Sequence, residues 1–416
     1  MSRGAHESVE AHLEHVLARI RPLAALEVPL ADAGGLVLGA SIETRLPIPA
    51  FDNSAMDGYA VRRADVADAA PDRQVTLSVV AEVAAGSPLD PAIGPGEAVR
   101  IMTGAAVPSD ADAIVPFEDT DSGTRSVRVT AAPKPAAHIR RAGEDVAAGR
   151  QILEAGVVLT AARLAAAAAA GLARLAVRPS PRVAVIVTGS ELVGPGAPLR
   201  RGQIPESNSV LLAGLVTEAG GTVVRVEHAP DDADAFAAAL AGAAAEHPDL
   251  VVLSGGVSVG DHDIVRTALE PLGSVDFHSV AMQPGSPQAF GTLPGGIIVF
   301  GLPGNPVAVA VSFEAFVRPA LQLLRGAART QRRRLAAVAT AGWRSPVARR
   351  QYMPITIVDG AHGASGGGLR VRPAAEGGSG SHLVGGLAAS DGFAIVEAGI
   401  DEVRAGDEVQ IVLVDG

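Results

Sequence analysis

The sequence predicts a multidomain protein that joins one α/β unit to several β-rich ones, and three observations predict it. The chain has 416 residues, too many for one typical core, so two to four domains are expected. Between residues 181 and 325 four apolar runs, VAVIVTG, GTVVRVEHA, DLVVLSGG and GIIVFGLPG, alternate with helix-patterned stretches such as SNSVLLAGLVTEAG. Strands alternating with helices mean βα units and a largely parallel sheet. On both sides of that stretch the pattern shifts to short Val/Ile-rich runs punctuated by Pro, Gly and Asp, the signature of β-rich units.

Each element follows in order. Val9, Leu13, Val16, Leu17 and Ile20 fall at helical spacing, with Ser8 placed to cap the helix. Residues 24–45 read as short extended segments. Residues 46–149 form a β-rich unit containing VTLSVVAEV and ADAIVPFE. A strand-like QILEAGVVL and an Ala-rich helix follow, the small side chains suiting close packing against another layer. After the α/β stretch, RGAARTQRRR reads as a solvated linker. AAVATAGW, QYMPITIV, GLRVRP, FAIVEAG and EVQIVLV then predict a small β-barrel or sandwich.

Composition narrows the function. A net charge of −11 argues against general binding to nucleic acid or anionic membranes, whose phosphates would be repelled. With no cysteine, disulfides, Cys-ligated zinc, iron–sulfur clusters and a thiol nucleophile are excluded. The N-terminal stretch lacks the uninterrupted apolar core of a signal peptide. LTAARLAAAAAAGLARLAV is mostly Ala and carries Arg163 and Arg174, too weakly hydrophobic to span a bilayer. A soluble cytoplasmic protein without membrane insertion or a nucleic-acid partner is the expectation.

In an open α/β sheet, ligands bind beyond the carboxyl ends of the strands. Three loops there carry suitable chemistry: Thr188-Gly189-Ser190-Glu191, Ser254-Gly255-Gly256-Val257-Ser258 and Pro303-Gly304-Asn305-Pro306. Glycine lets the backbone approach an anion, and N–H groups and hydroxyls donate to it. One such loop only makes a turn; three in one unit point to an anion site. Glu191, Asp231, Asp261 and Asp263 adjoin these loops, and carboxylates beside a phosphate site make sense with Mg²⁺ between them. Asp231 fits equally a helix N-cap in PDDADA. His262, without ligand-spaced partners, reads as a solvated loop residue. In the β-rich unit, FDNSAMDGYAV offers Asp57-Gly58 as a turn, and IRRAGEDV offers Asp145 after two arginines.

On these residues the sequence resembles a known family, the MoeA/gephyrin E-domain molybdopterin molybdenumtransferases. FDNSAMDGYAV, GEAVRIMTGAAVP, RAGEDV, VTGSELV, GQI…SN, LSGGVSVGDHD and LPGNP occur in the family's order, almost end to end. The resemblance implies a homodimer with a MogA-like parallel-sheet molybdopterin-binding domain (181–326) that takes in the N-terminal helix (1–23). It further implies an extended linker domain (24–45 and 150–180), an inserted β-rich domain (46–149) and a C-terminal β-barrel (335–416). The implied reaction is insertion of molybdate into adenylylated molybdopterin, with Mg²⁺ as cofactor and AMP released. Glu191, Asp231 and Asp263 would hold Mg²⁺. Glu191 would also be catalytic, with Asp57 and Asp145 supplied by the partner subunit. Thr188, Gly189, Ser190, Ser254, Gly255, Gly256, Ser258, Pro303, Gly304 and Asn305 would bind substrate.

The departures gather in one place. Where the family carries a segment like KPGKP, this chain has Gln283-Pro284-Gly285-Ser286-Pro287, and Ala308 replaces a hydroxyl after LPGNPV. The resemblance puts the oxyanion there. Charged hydrogen bonds are worth roughly 1.5–3 kcal/mol each, so losing two uncompensated would weaken anion binding by about two to four orders of magnitude. Gln283 and Ser286 can donate in their place, and Arg349 or Arg350 is a candidate to reach in. The alternative is a gephyrin-like scaffold with weak or no transferase activity that binds a peptide of a partner protein.

Overall fold

The computed structural model describes residues 6–257, 264–358, 368–375 and 380–414. Of the positions singled out above, Ser258, Asp261, His262 and Asp263 lie outside them.

The α/β unit is a six-stranded sheet in the order Thr222–Ala229, Arg182–Thr188, Leu250–Ser254, Ile298–Leu302, Pro287–Thr292, Val275–Ser279. The first four strands are parallel, as the alternating pattern requires. The last two join through antiparallel pairings, and they do not stand out in the sequence because VDFHS and PQAFGT are only partly apolar. Strands of a parallel sheet are covered on both faces, so both sets of alternate side chains must find a core. Val183, Val185 and Val187 enter one cluster, and Ala184 and Ile186 enter the other.

Helix Val9–Ala18, helix Asn208–Glu218 and the helical run Pro306–Leu324 cover the first cluster. Helices Ala233–Ala245 and Ile264–Leu269 cover the second. Ser8 caps the N-terminal helix by accepting from the Ala11 N–H at 3.1 Å. Val9, Val16 and Ile20 reach the core, Leu13 and Leu17 are half-buried, and His12 is buried beside them. Pro306–Leu324 is long and apolar enough to cross a membrane, but 78% of it is buried, which marks the core helix of the α/β unit. The Ala-rich stretch is helical only over Ala161–Ala169 and gives way to the strand Arg174–Arg178.

Strands Leu26–Pro29 and Val37–Leu38 both pair with Arg174–Arg178, and Ile42–Glu43 pairs with Gln151–Leu153. The chain before residue 46 is thus hydrogen-bonded to the chain after residue 149. Between them lies a five-stranded sheet ordered Ala113–Pro116, Gly58–Val61, Glu97–Ile101, Val75–Val83, Ser126–Val129. Gly58 opens a strand rather than sitting in a turn with Asp57. A Cβ there would lie 2.1 Å from the Val115 carbonyl oxygen, so close strand approach dictates the glycine.

At the C-terminal end the sheet runs Met282–Gln283, Arg350–Ile357, Leu369–Pro373, Leu335–Ala339, Glu408–Leu413, Gly392–Val396. It closes into a barrel because Arg350–Ile357 also pairs with Gly392–Val396. Met282–Gln283 comes from the α/β unit and pairs in parallel with Arg350 and Gln351, so the QPGSP segment is held against the barrel. Phe300 is 1% exposed in the first cluster. Phe300→Ala should cost about 3–5 kcal/mol, read as a fall in the urea midpoint of unfolding.

Candidate active site

The second strand of the α/β sheet lies on one side of the first and the third on the other, so the strand order reverses between Arg182–Thr188 and Leu250–Ser254. Loops leaving such a switch point diverge and leave a crevice at the carboxyl ends. A cavity of 820 Å³ opens there, lined by Thr188, Gly189, Glu191, Asp231, Gly255 and Gly256, and by the N-termini of two helices at Asn208 and Pro306. Helix N-termini present unpaired N–H groups and partial positive charge, which suits an anion. Gly255 has φ +92°, and a Cβ there would sit 2.6 Å from the Thr188 carbonyl oxygen. Only glycine fits where the two strands meet.

Two reciprocal bonds fix the loops. The Ser190 N–H donates to Asp231 Oδ2 at 2.9 Å, and the Asp231 N–H donates to Ser190 Oγ at 2.9 Å. The helix cap expected as an alternative for Asp231 belongs to Asp232, whose carboxylate accepts from the Ala235 N–H at 2.9 Å. Glu191 and Asp231 are both exposed and line the same cavity. Ser254, by contrast, is fully buried: its hydroxyl accepts from Asn208 Nδ2 at 3.0 Å and points to the Pro303 carbonyl at 3.4 Å. Asn208 Nδ2 also donates to the Gly304 carbonyl at 2.6 Å. One amide therefore clips the second and third loops together, while its buried Oδ1, on a residue lining the cavity, has no hydrogen-bond partner.

A second cavity of 1150 Å³ adjoins the first and shares Asn305 and His382 with it. The Gln283–Pro287 turn, Pro303 and Ala308 form one wall, and the barrel residues Arg344, Arg349 and Arg372 form the other. Among the described residues no carboxylate forms an ion pair with these arginines. Arg350 does not reach in: it pairs with Glu10 and Glu397, each at 2.6 Å. Ser286 lines the cavity, but its hydroxyl donates to the Val280 carbonyl at 2.8 Å. The Asn305 amide donates to Ser381 Oγ at 3.0 Å.

Asp57 and Asp145 line neither cavity of their own chain. Their two segments are joined, however, since Asn53 and Ser54 pair with Arg140 and Ile139. Arg141 Nη1 and the Ala142 N–H also donate to Asp52, at 2.5 and 2.7 Å. Asp57 Oδ1 accepts from the N–H and the hydroxyl of Thr103, at 2.7 and 2.8 Å. The backbone bond from Thr103 holds its carboxyl below the usual carboxylate range, so Asp57 is ionised and fixed in place.

Three family models match in sequence: the MoeA N-terminal region (domain I and II) over residues 7–171, a probable molybdopterin binding domain over 184–323, and the MoeA C-terminal region (domain IV) over 336–414. Molybdopterin molybdenumtransferase 2 of Mycobacterium tuberculosis is 44% identical over 410 residues, covering 97% of this chain and 98% of the relative. The chain belongs to the MoeA family. The Haemophilus influenzae molybdopterin molybdenumtransferase is 36% identical over 92% of both chains. A solved MoeA structure from Pyrococcus horikoshii superposes with a TM-score of 0.80 at 29% identity, covering 98% of this chain and 100% of that one.

On this MoeA fold the structure gathers Thr188, Gly189, Glu191, Asp231, Gly255, Gly256, Gly304 and Asn305 at one cavity, and Gln283, Ser286, Pro303 and Asn305 at the next. Ser190 acts through Asp231, and Ser254 through Asn208. Sequence reasoning left out Glu206, Asn208, Arg344 and Arg372, all of which line these cavities. The GQI…SN segment did signal Asn208, but nothing in the barrel's sequence signals which arginine faces the turn. Asn208→Leu should destabilise the chain by about 1–3 kcal/mol, measured by urea unfolding, because the Ser254 hydroxyl and Gly304 carbonyl lose their donor.

Proposed function

We propose that this MoeA protein is a molybdopterin molybdenumtransferase that inserts molybdate into adenylylated molybdopterin and releases AMP. The carrying observation is the adjacency of two unlike anion sites. One, at the switch point, has two helix N-termini and three carboxylates, Glu191, Glu206 and Asp231; the next has the QPGSP turn facing three arginines. A dithiolene pterin joined to a nucleotide through a phosphoanhydride needs the first, and an oxyanion needs the second. The shared wall at Asn305 and His382 supports a reading in which the two reactants bind side by side.

Glu191 and Asp231 are exposed oxygen donors on one cavity, a set suited to a hard cation that keeps several waters, and the family resemblance adds Asp263 to them. Mg²⁺ held there supplies charge neutralisation for the phosphoanhydride. The backbone of Gly189, Gly255 and Gly256 approaches the phosphates without side-chain obstruction, and the orphaned Asn208 Oδ1 accepts from a substrate donor. Asp145 and the ionised Asp57 reach this cleft from the partner subunit of a homodimer, where they orient substrate or water for proton transfer.

Arginine takes over what the family's lysines do. Its planar fork grips an oxyanion through two parallel N–H bonds, and its charge does not depend on pH. Arg349→Ala or Arg372→Ala should therefore raise the KM for molybdate roughly 10- to 150-fold, the equivalent of one charged hydrogen bond, with little change in the affinity for the adenylate. The deciding assay mixes purified protein with adenylylated molybdopterin, Mg²⁺ and molybdate, and follows AMP release and activation of a cofactor-free molybdoenzyme. Molybdate-dependent turnover that Asp145→Asn abolishes is the expected result. Substrate binding without turnover, with molybdate or tungstate, would overturn the transferase reading in favour of a peptide-binding scaffold.

A further inference from the structure

Three imidazoles meet where the N-terminal helix lies against the far edge of the α/β sheet. His12 and His15, one turn apart on helix Val9–Ala18, face His278 on the edge strand Val275–Ser279. Ring centroids are 4.6 Å apart for His12 and His278, and 5.2 Å for His15 and His278. This edge is three strands away from Leu250–Ser254 and the cleft described above, and the proposed reaction uses none of these residues.

The contacts with Glu7 show which nitrogens are left available. Glu7 Oε2 lies 3.0 Å from His278 Nδ1 and 3.2 Å from His12 Nδ1. The carboxylate faces Nδ1 of both rings, so Nε2 of each is the nitrogen turned away from Glu7. Nε2 of His278 is buried with no hydrogen-bond partner, and so is Nε2 of His15. Asp276 Oδ2 lies 4.0 Å from His15 Nε2, and donor atoms of His15, Asp276 and His278 all fall within 4.8 Å of one another.

We propose that His15, His278 and Asp276 bind a divalent transition metal of the zinc class, and that the ion clamps the N-terminal helix to the sheet edge. Zinc–nitrogen and zinc–oxygen bonds of about 2.0–2.2 Å place tetrahedral donors about 3.3 Å apart, so small side-chain rotations bring these three into register. Two imidazoles and one carboxylate suit zinc rather than Mg²⁺ or Ca²⁺, which prefer oxygen alone. Glu7 holds His278 from behind, the carboxylate–histidine arrangement that fixes tautomer and ring orientation in metal sites. Arg19 Nη2 lies 3.3 Å from Asp276 Oδ2 and competes for that carboxylate, whose second oxygen lets both cations share it.

Untagged full-length protein, stripped with a chelator, would be titrated with Zn²⁺ against a chromophoric competitor and, separately, with Co²⁺ by absorption spectroscopy. The expected result is one saturable equivalent per chain, a tetrahedral Co²⁺ band and a Tm that rises with Zn²⁺. Affinity should fall about 10- to 100-fold in Glu7→Gln. It should fall by more than that in His15→Ala and His278→Ala, and stay unchanged in the cleft variant Glu191→Gln. Affinity that survives the His15→Ala/His278→Ala double variant would overturn the proposal. So would a wild-type protein with no tetrahedral Co²⁺ band, an outcome that does not depend on how any variant folds. Neither readout uses transferase activity, so this site and the proposed function fail or stand separately.

Discussion

Burial of the central strands on both faces is the constraint from which the rest of the molecule follows. Arg182–Thr188 and Leu250–Ser254 put alternate side chains into two separate cores, and one layer of helices cannot close both. The chain meets this demand from distant parts of its length. Val9, Val16 and Ile20 return to the face covered by Leu212, Val216 and the run from Pro306 to Leu324. With both faces sealed, the carboxyl ends of the strands stay open to polar ligands, and helix N-termini and glycine loops face outward there.

The same layering explains how separate units come to share chemistry. Arg325 donates to the Ala219 carbonyl at 3.1 Å and to the Gly35 carbonyl at 2.6 Å, tying the α/β unit to the extended strands near the N-terminus. On the other side, Met282–Gln283 joins the barrel sheet, so the turn that follows it is clamped between two cores before any ligand arrives. Held in this way, a short loop can offer one fixed donor set, which is what oxyanion binding requires. The turn itself carries no charged side chain at Gln283 or Ser286, and the arginines lining the same cavity, Arg344, Arg349 and Arg372, stand on the barrel wall.

Small polar residues decide more of the cleft than its acids do. Asn208 joins two loops with a single amide, and Ser190 and Asp231 join two others by exchanging bonds. Ser254 looks like a ligand-binding hydroxyl when read along the chain, yet it is consumed inside the protein. A hydroxyl in a glycine-rich loop carries no mark of which way it points. That direction is set by whichever donor or acceptor is buried beside it.

The sequence by itself determined the fold class, the alternating parallel strands, the N-terminal helix with its Ser8 cap, and the glycine loops. All of these are written in local periodicity, backbone sterics and turn chemistry, which neighbouring residues fix among themselves. It also carried the family, through long motifs such as FDNSAMDGYAV and LPGNP. Only the tertiary structure decided that Val275–Ser279 and Pro287–Thr292 extend the sheet, that a two-residue strand from the α/β unit completes the barrel, and that Arg349 rather than Arg350 faces the cavity. The same is true of His278, which no spacing rule connects to the helical pair His12 and His15. These are contacts between residues far apart in the chain, and their geometry is set by which apolar surfaces must be buried together.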